Sequence, residues 1–148
     1  MAKEVAFSYE IYIGAPTERV WKGLTDGEIT RHYVFGTRFE SKLKEGDRYA
    51  YIGEGEFKAV EGEILEVQSG TRLLLRWKAN YDEATAKEEP SRVAFDLTPT
   101  GPFVTKLRLV HDDFKDDSAT YAGSVEAWPQ MLSSLKSILE TGKALELR

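Results

Sequence analysis

Trp128-Pro129-Gln130-Met131-Leu132-Ser133-Ser134-Leu135-Lys136-Ser137-Ile138-Leu139-Glu140-Thr141-Gly142 is the part of the chain that dictates how the rest must be arranged. Trp128, Met131, Leu132, Leu135, Ile138 and Leu139 recur at steps of three and four, which predicts a helix with one broad apolar stripe. Gly142 follows directly, and glycine is the residue that ends a helix at least cost. Pro129 sits inside the pattern. It removes one backbone hydrogen bond and crowds the carbonyl of Val125, at about 3 kcal/mol in a helix interior. Val125 nevertheless falls on the same stripe as Trp128, Leu132 and Leu135, so the periodicity predicts a helix over about residues 118–141 that runs through the proline and bends near Val125. Such a helix needs a large apolar surface to lie on.

Upstream the period is two. Residues 5–13 alternate, with Val5, Phe7, Tyr9, Ile11 and Ile13 on one face of a predicted strand. Gly14-Ala15-Pro16 breaks it, and Pro16 suits a first helical turn. Residues 17–24 place Val20, Trp21 and Leu24 together, and Thr25 with Glu28 has the spacing of a capping box for a second short helix. Strand candidates then follow at residues 38–42, 48–52, 57–67, 73–77, 93–97 and 104–111. Turns such as Lys44-Glu45-Gly46-Asp47, Gln68-Ser69-Gly70 and Pro99-Thr100-Gly101-Pro102 separate them. Residues 79–90 read as a polar loop. The order predicts an α+β fold, a curved seven-stranded antiparallel sheet with two short helices after the first strand and the long helix across it. A strongly twisted sheet cannot lie flat on one helix, so space is expected beneath the helix.

Composition narrows the function. A chain of 148 residues is expected to form one domain, residues 1–148, burying roughly 70% of the surface it exposes when unfolded. There is no cysteine, which excludes disulfides, thiolate metal sites and a cysteine nucleophile. The net charge is −5 with both signs interspersed, so no basic stripe invites nucleic acid. No apolar run reaches the roughly 18 residues of a membrane span. Met1-Ala2-Lys3-Glu4 leads straight into the first strand pattern, so no signal peptide is expected and the cytoplasm is the expected location. The two histidines, His32 and His111, lack zinc-helix spacing, and Asp112, Asp113, Asp116 and Asp117 lack the alternation and central glycine of a calcium loop. Those aspartates read instead as a solvated turn, with Asp117 or Ser118 capping the last helix. Gly53-Glu54-Gly55 misses the third glycine of a phosphate loop, and its flanking glutamates would repel phosphate. No Gly-x-Ser-x-Gly elbow is present. Neither a metal nor a cofactor is expected.

Ile13-Gly14-Ala15-Pro16-Thr17-Glu18-Arg19-Val20-Trp21 resembles the entry to the first helix in the START-like superfamily often labelled SRPBCC. Three further stretches are similar to one branch of it: Tyr33-Val34-Phe35-Gly36-Thr37-Arg38-Phe39-Glu40-Ser41, Leu109-Val110-His111-Asp112-Asp113-Phe114, and the helix from Trp128 to Gly142. That branch is named for the C-terminal domain of the activator of heat-shock-protein-ninety ATPase. The resemblance runs nearly end to end and implies a helix-grip fold, like that of birch-pollen allergens, with a cavity under the helix. The superfamily includes pathogenesis-related allergens, lipid-transfer domains, polyketide cyclases and antibiotic-resistance proteins, which share a cavity and not a reaction.

Tyr33, Phe35, Tyr49, Tyr51, Trp77, Phe95 and Trp128 lie on segments predicted to border the interior, as do Met131, Leu132 and Leu135 on the helix stripe. One reading is that they fill a core. The other is that several line a pocket for a small apolar or aromatic ligand, with Arg38 or His111 as polar anchors. His111 shares the parity of Leu107 and Leu109 and is the one candidate for catalysis. The alternative for it is a buried imidazole hydrogen-bonded to a neighbour. Three functions stay open: a non-catalytic carrier or sensor of a small hydrophobic molecule, an enzyme of the cyclase or hydrolase type using the same cavity, and a co-chaperone-like module with a protein partner.

Overall fold

A computed structural model describes residues 6–115 and 118–146. Val5 of the first predicted strand and Asp116 and Asp117 of the acidic turn lie outside the described residues. The elements are β1 (Phe7–Ile13), α1 (Thr17–Thr25), α2 (Gly27–Thr30), β2 (Arg38–Ser41), β3 (Arg48–Ile52), β4 (Lys58–Gln68), β5 (Arg72–Ala79), α3 (Glu83–Ala86), β6 (Ser91–Gly101), β7 (Val104–Asp112) and α4 (Ala119–Thr141). The seven strands form one sheet in the order β1-β7-β6-β5-β4-β3-β2, antiparallel throughout. Strands β2 to β7 are a plain meander. The two short helices carry the chain from one sheet edge, β1, to the other, β2.

Alternation sorts the two faces. Leu73, Leu75 and Trp77 on β5 and Leu107, Leu109 and His111 on β7 point inward and are buried, under Leu132, Leu135 and Leu139 of α4. The outer face carries cross-strand ion pairs instead: Arg72 with Asp96, Arg92 with Asp112, Arg76 with Asp113. Each is partly exposed and contributes little alone. Strands β4 and β5 approach so closely at Gly62 that a Cβ there would collide with the Arg76 carbonyl oxygen. The same carbonyl accepts the Tyr49 hydroxyl proton at 2.6 Å.

Two local expectations need correction. Asp26, not Thr25, caps α2, accepting the Glu28 N–H at 2.9 Å. Thr25 is still the last residue of α1 and donates its hydroxyl to the Trp21 carbonyl at 2.8 Å, so it is not free to cap the second helix. Within the polar stretch 79–90 lies the short helix α3, closed by a capping box between Asp82 and Thr85, with Thr85 buried. One turn needs two well-placed side chains rather than an apolar stripe, so the high charge of the segment concealed it.

Helix α4 continues across Pro129, and its two ends are held differently. At its start Ser118 accepts the Tyr121 N–H, and the Glu88 carboxylate accepts the N–H groups of Ala119 (2.6 Å) and Thr120 (3.0 Å). At its end Gly142 takes the left-handed conformation and donates its N–H to the Ile138 carbonyl. Glu140 accepts the Gly14 N–H at 2.6 Å, and Lys136 donates to the Tyr12 carbonyl at 2.8 Å. The last third of α4 is thereby locked onto the corner between β1 and α1.

Candidate functional site

The first half of α4 stands away from β3, β4 and β5 and roofs a hollow of about 500 Å³. That is within the range of small-molecule sites. Gly123, Ser124, Ala127, Trp128 and Met131 form the roof, while Tyr51, Ala59, Val60 and Trp77 form the sheet wall. The surface is mainly apolar. At the rim the chain makes a tight turn in which the Thr37 N–H donates to the Val34 carbonyl at 2.9 Å. Phe35 occupies that turn at φ 47°, followed by Gly36 at φ 76°. A left-handed backbone costs a residue with a Cβ roughly 1–2 kcal/mol. Phe35 bears that cost while 70% exposed at the rim, and Phe57 flanks it at 51%.

Five residues expected at a pocket border this hollow: Phe35, Tyr51, Trp77, Trp128 and Met131. The others lie elsewhere. Tyr33 is buried and donates its hydroxyl to the Gly23 carbonyl at 2.7 Å. Tyr49 is tied to the Arg76 carbonyl. Phe95 supports Trp128 edge-on at a ring distance of 5.7 Å, and Leu132 and Leu135 are fully buried between α4 and the sheet. Arg38, expected as a polar anchor, does not border this hollow. It opens β2 with Phe39 turned inward, so Arg38 must turn outward, where it pairs with Glu40 and Glu56 on the surface. Sequence reasoning missed Ser124 and Ala127, although Ser124 lies four residues before Trp128 and Ala127 four before Met131, so that they share the stripe. It also missed Tyr81, in the polar stretch after β5, and Phe57, which it placed at the start of a strand but which just precedes β4.

The rings form a continuous path through the wall and into the roof. Phe39 meets Tyr51 at 5.2 Å, Tyr51 meets Trp77 at 5.5 Å, and Trp77 meets Trp128 at 5.4 Å. His111 lies one layer deeper, fully buried. The Trp128 indole N–H donates to its Nδ1 at 3.0 Å, and its Nε2 is 2.8 Å from the Ser91 hydroxyl. Burial pushes the imidazole pKa down to about 3, with Asp112 opposing by less. Both ring nitrogens are therefore occupied within the protein. Among the described residues no three His, Asp or Glu side chains gather as a metal would need, and no helix is long and apolar enough to cross a membrane.

Residues 14–140 match the family described as Activator of Hsp90 ATPase homolog 1-like protein. Among solved structures, the Mesorhizobium loti protein MLL2253 is 27% identical, with 92% of this chain and 97% of that one covered and a TM-score of 0.76. A Plasmodium falciparum protein described as an Hsp90 activator is 20% identical over 90% of this chain and 95% of its own, with a TM-score of 0.74. The Aha1 dimer of Colwellia psychrerythraea is 18% identical over 95% and 99%, with a TM-score of 0.75. These likenesses bear out the helix-grip architecture. No curated protein matches the sequence.

Proposed function

The chain belongs to the family of Activator of Hsp90 ATPase homolog 1-like proteins, and from that premise we propose that it carries or senses a small hydrophobic or aromatic molecule held beneath α4. The observation that supports this most is the hollow itself, walled by Tyr51, Trp77, Trp128 and Met131 and open at an apolar rim. A core would have closed on so much aromatic surface. Here the roof stays off the sheet and leaves roughly the volume that a drug-sized molecule needs. Carriage is favoured over turnover because His111 has both nitrogens committed to Trp128 and Ser91 and does not border the hollow. A general base must reach its proton directly or through one water.

Titration with Nile red, an uncharged apolar dye, tests the reading. Wild type is expected to bind saturably at one site with a rise in emission. Ala127→Trp, which fills the roof side of the hollow, is expected to abolish that site while the protein stays folded. Absence of binding by wild type, or unchanged binding by the filled variant, would refute it and leave a protein partner, such as a chaperone, as the reading to pursue.

A further inference from the structure

Three tyrosines are buried in this core, and their hydroxyls are treated differently. Those of Tyr33 and Tyr49 donate to backbone carbonyls at 2.7 and 2.6 Å. That of Tyr51, a residue only 4% exposed, has no hydrogen-bond partner among the described residues. The same is true of the Trp77 indole N–H and the Ser124 hydroxyl, on residues each 5% exposed. The neighbouring indole of Trp128 shows the ordinary arrangement, since it donates to His111. None of these atoms is sealed inside the protein, so each is free to meet a molecule in the hollow instead of a protein group.

Tyr51, Trp77 and Ser124 all border the hollow. Tyr51 and Trp77 stand side by side on the wall, with Ser124 in the roof. An indole N–H can only donate, and burial raises the Tyr51 phenol far above its ordinary value, so it keeps its proton and also donates. Among the described residues of the lining none is Lys or Arg, and the one charged side chain, Glu54, is exposed at the rim. Donors without a cation suit an oxygen that accepts hydrogen bonds but carries no charge.

Resting on the carrier reading, we infer that the ligand is a neutral apolar molecule with a carbonyl oxygen, which accepts hydrogen bonds from Tyr51 Oη and Trp77 Nε1, with Ser124 as a third contact. The aromatic wall holds the body of the molecule and the donor pair fixes its orientation. A carboxylate of the same shape is excluded by the cost of burying its charge without a counter-ion.

Benzophenone and diphenylmethane differ only in that carbonyl and serve as probes, followed by quenching of tryptophan emission. Wild type is expected to favour benzophenone by about tenfold. Tyr51→Phe should erase most of that preference and leave the melting temperature unchanged, because the free protein loses no hydrogen bond. Tyr49→Phe should do the reverse, lowering the melting temperature and keeping the preference. Equal affinity for the two probes in wild type, or an unchanged preference in Tyr51→Phe, overturns the inference and leaves the carrier reading intact. Tighter binding of 4-benzoylbenzoate than of benzophenone overturns it too. If neither neutral probe binds a protein that binds Nile red, this inference falls and the carrier reading stands; if Nile red does not bind either, both fall.

Discussion

An indole N–H has no lone pair to offer, so the contact between Trp128 and His111 assigns the imidazole tautomer. Nδ1 must be bare to accept, which puts the proton on Nε2, where it is donated to Ser91 Oγ. Ser91 in turn passes its own proton toward the Trp77 carbonyl at 3.4 Å. The chain of bonds holds Trp77 and Trp128, the two largest rings of the hollow, at fixed positions. Its pH response follows from burial. In the unfolded chain the imidazole takes up a proton below about pH 6.5, whereas in the fold it stays neutral until about pH 3. The unfolded state therefore binds more protons throughout that window, and stability falls as pH is lowered through it, by up to about 1.4 kcal/mol per unit. Denaturant melts at pH 7, 5.5 and 4.5 are expected to show this slope in wild type and a shallower one in His111→Gln. Identical slopes would mean that the imidazole is not held neutral.

At the scale of the element, α4 depends on a residue far from it in sequence. Burial raises the pKa of Glu88, but the donors at the helix start, Thr120, Ala119 and Ser118, outweigh it and the net shift is downward. A carboxylate with a lowered folded value stabilises the fold above its unfolded pKa, and that contribution is lost as pH falls through the folded value. Its position at a helix N-terminus adds the favourable charge–dipole interaction. Glu88→Ala is expected to cost about 1–2 kcal/mol at pH 7, comparable to the loss of a good N-cap. In a chain of this size that lowers Tm by about 2–4 °C per kcal/mol. The penalty should shrink as pH falls through the folded value of Glu88, and a Tm unaffected at pH 7 would show that Ser118 suffices. The capping role of Glu88 was hidden in the sequence, because nothing in its own segment points some 30 residues ahead. Ser118 was legible, since it immediately precedes the apolar period.

Across the whole molecule the fold was readable because one face of nearly every element is buried, and burial writes its period into the chain. Residues 73–77 and 107–111 alternate as the sheet does, and Trp128 to Leu139 recur as the helix does. The hollow was only half readable. Periodicity tells which face of an element turns inward, but not where two inward faces fail to meet. Leu132 and Met131 belong to one stripe, yet one is sealed against the sheet and the other borders open space. That separation arises from the way α4 is mounted. Its C-terminal third is bolted to the β1–α1 corner through Glu140, Lys136 and the buried Leu135 and Leu139, whereas the segment around Gly123 and Ala127 spans a gap. Mechanically this is a cantilever with a light latch, Glu88, at its free end. Prying up the free end would admit a guest without breaking one strand pairing, so amides near residues 122–127 should exchange hydrogen faster than those of 132–139, and a bound guest should slow the former alone.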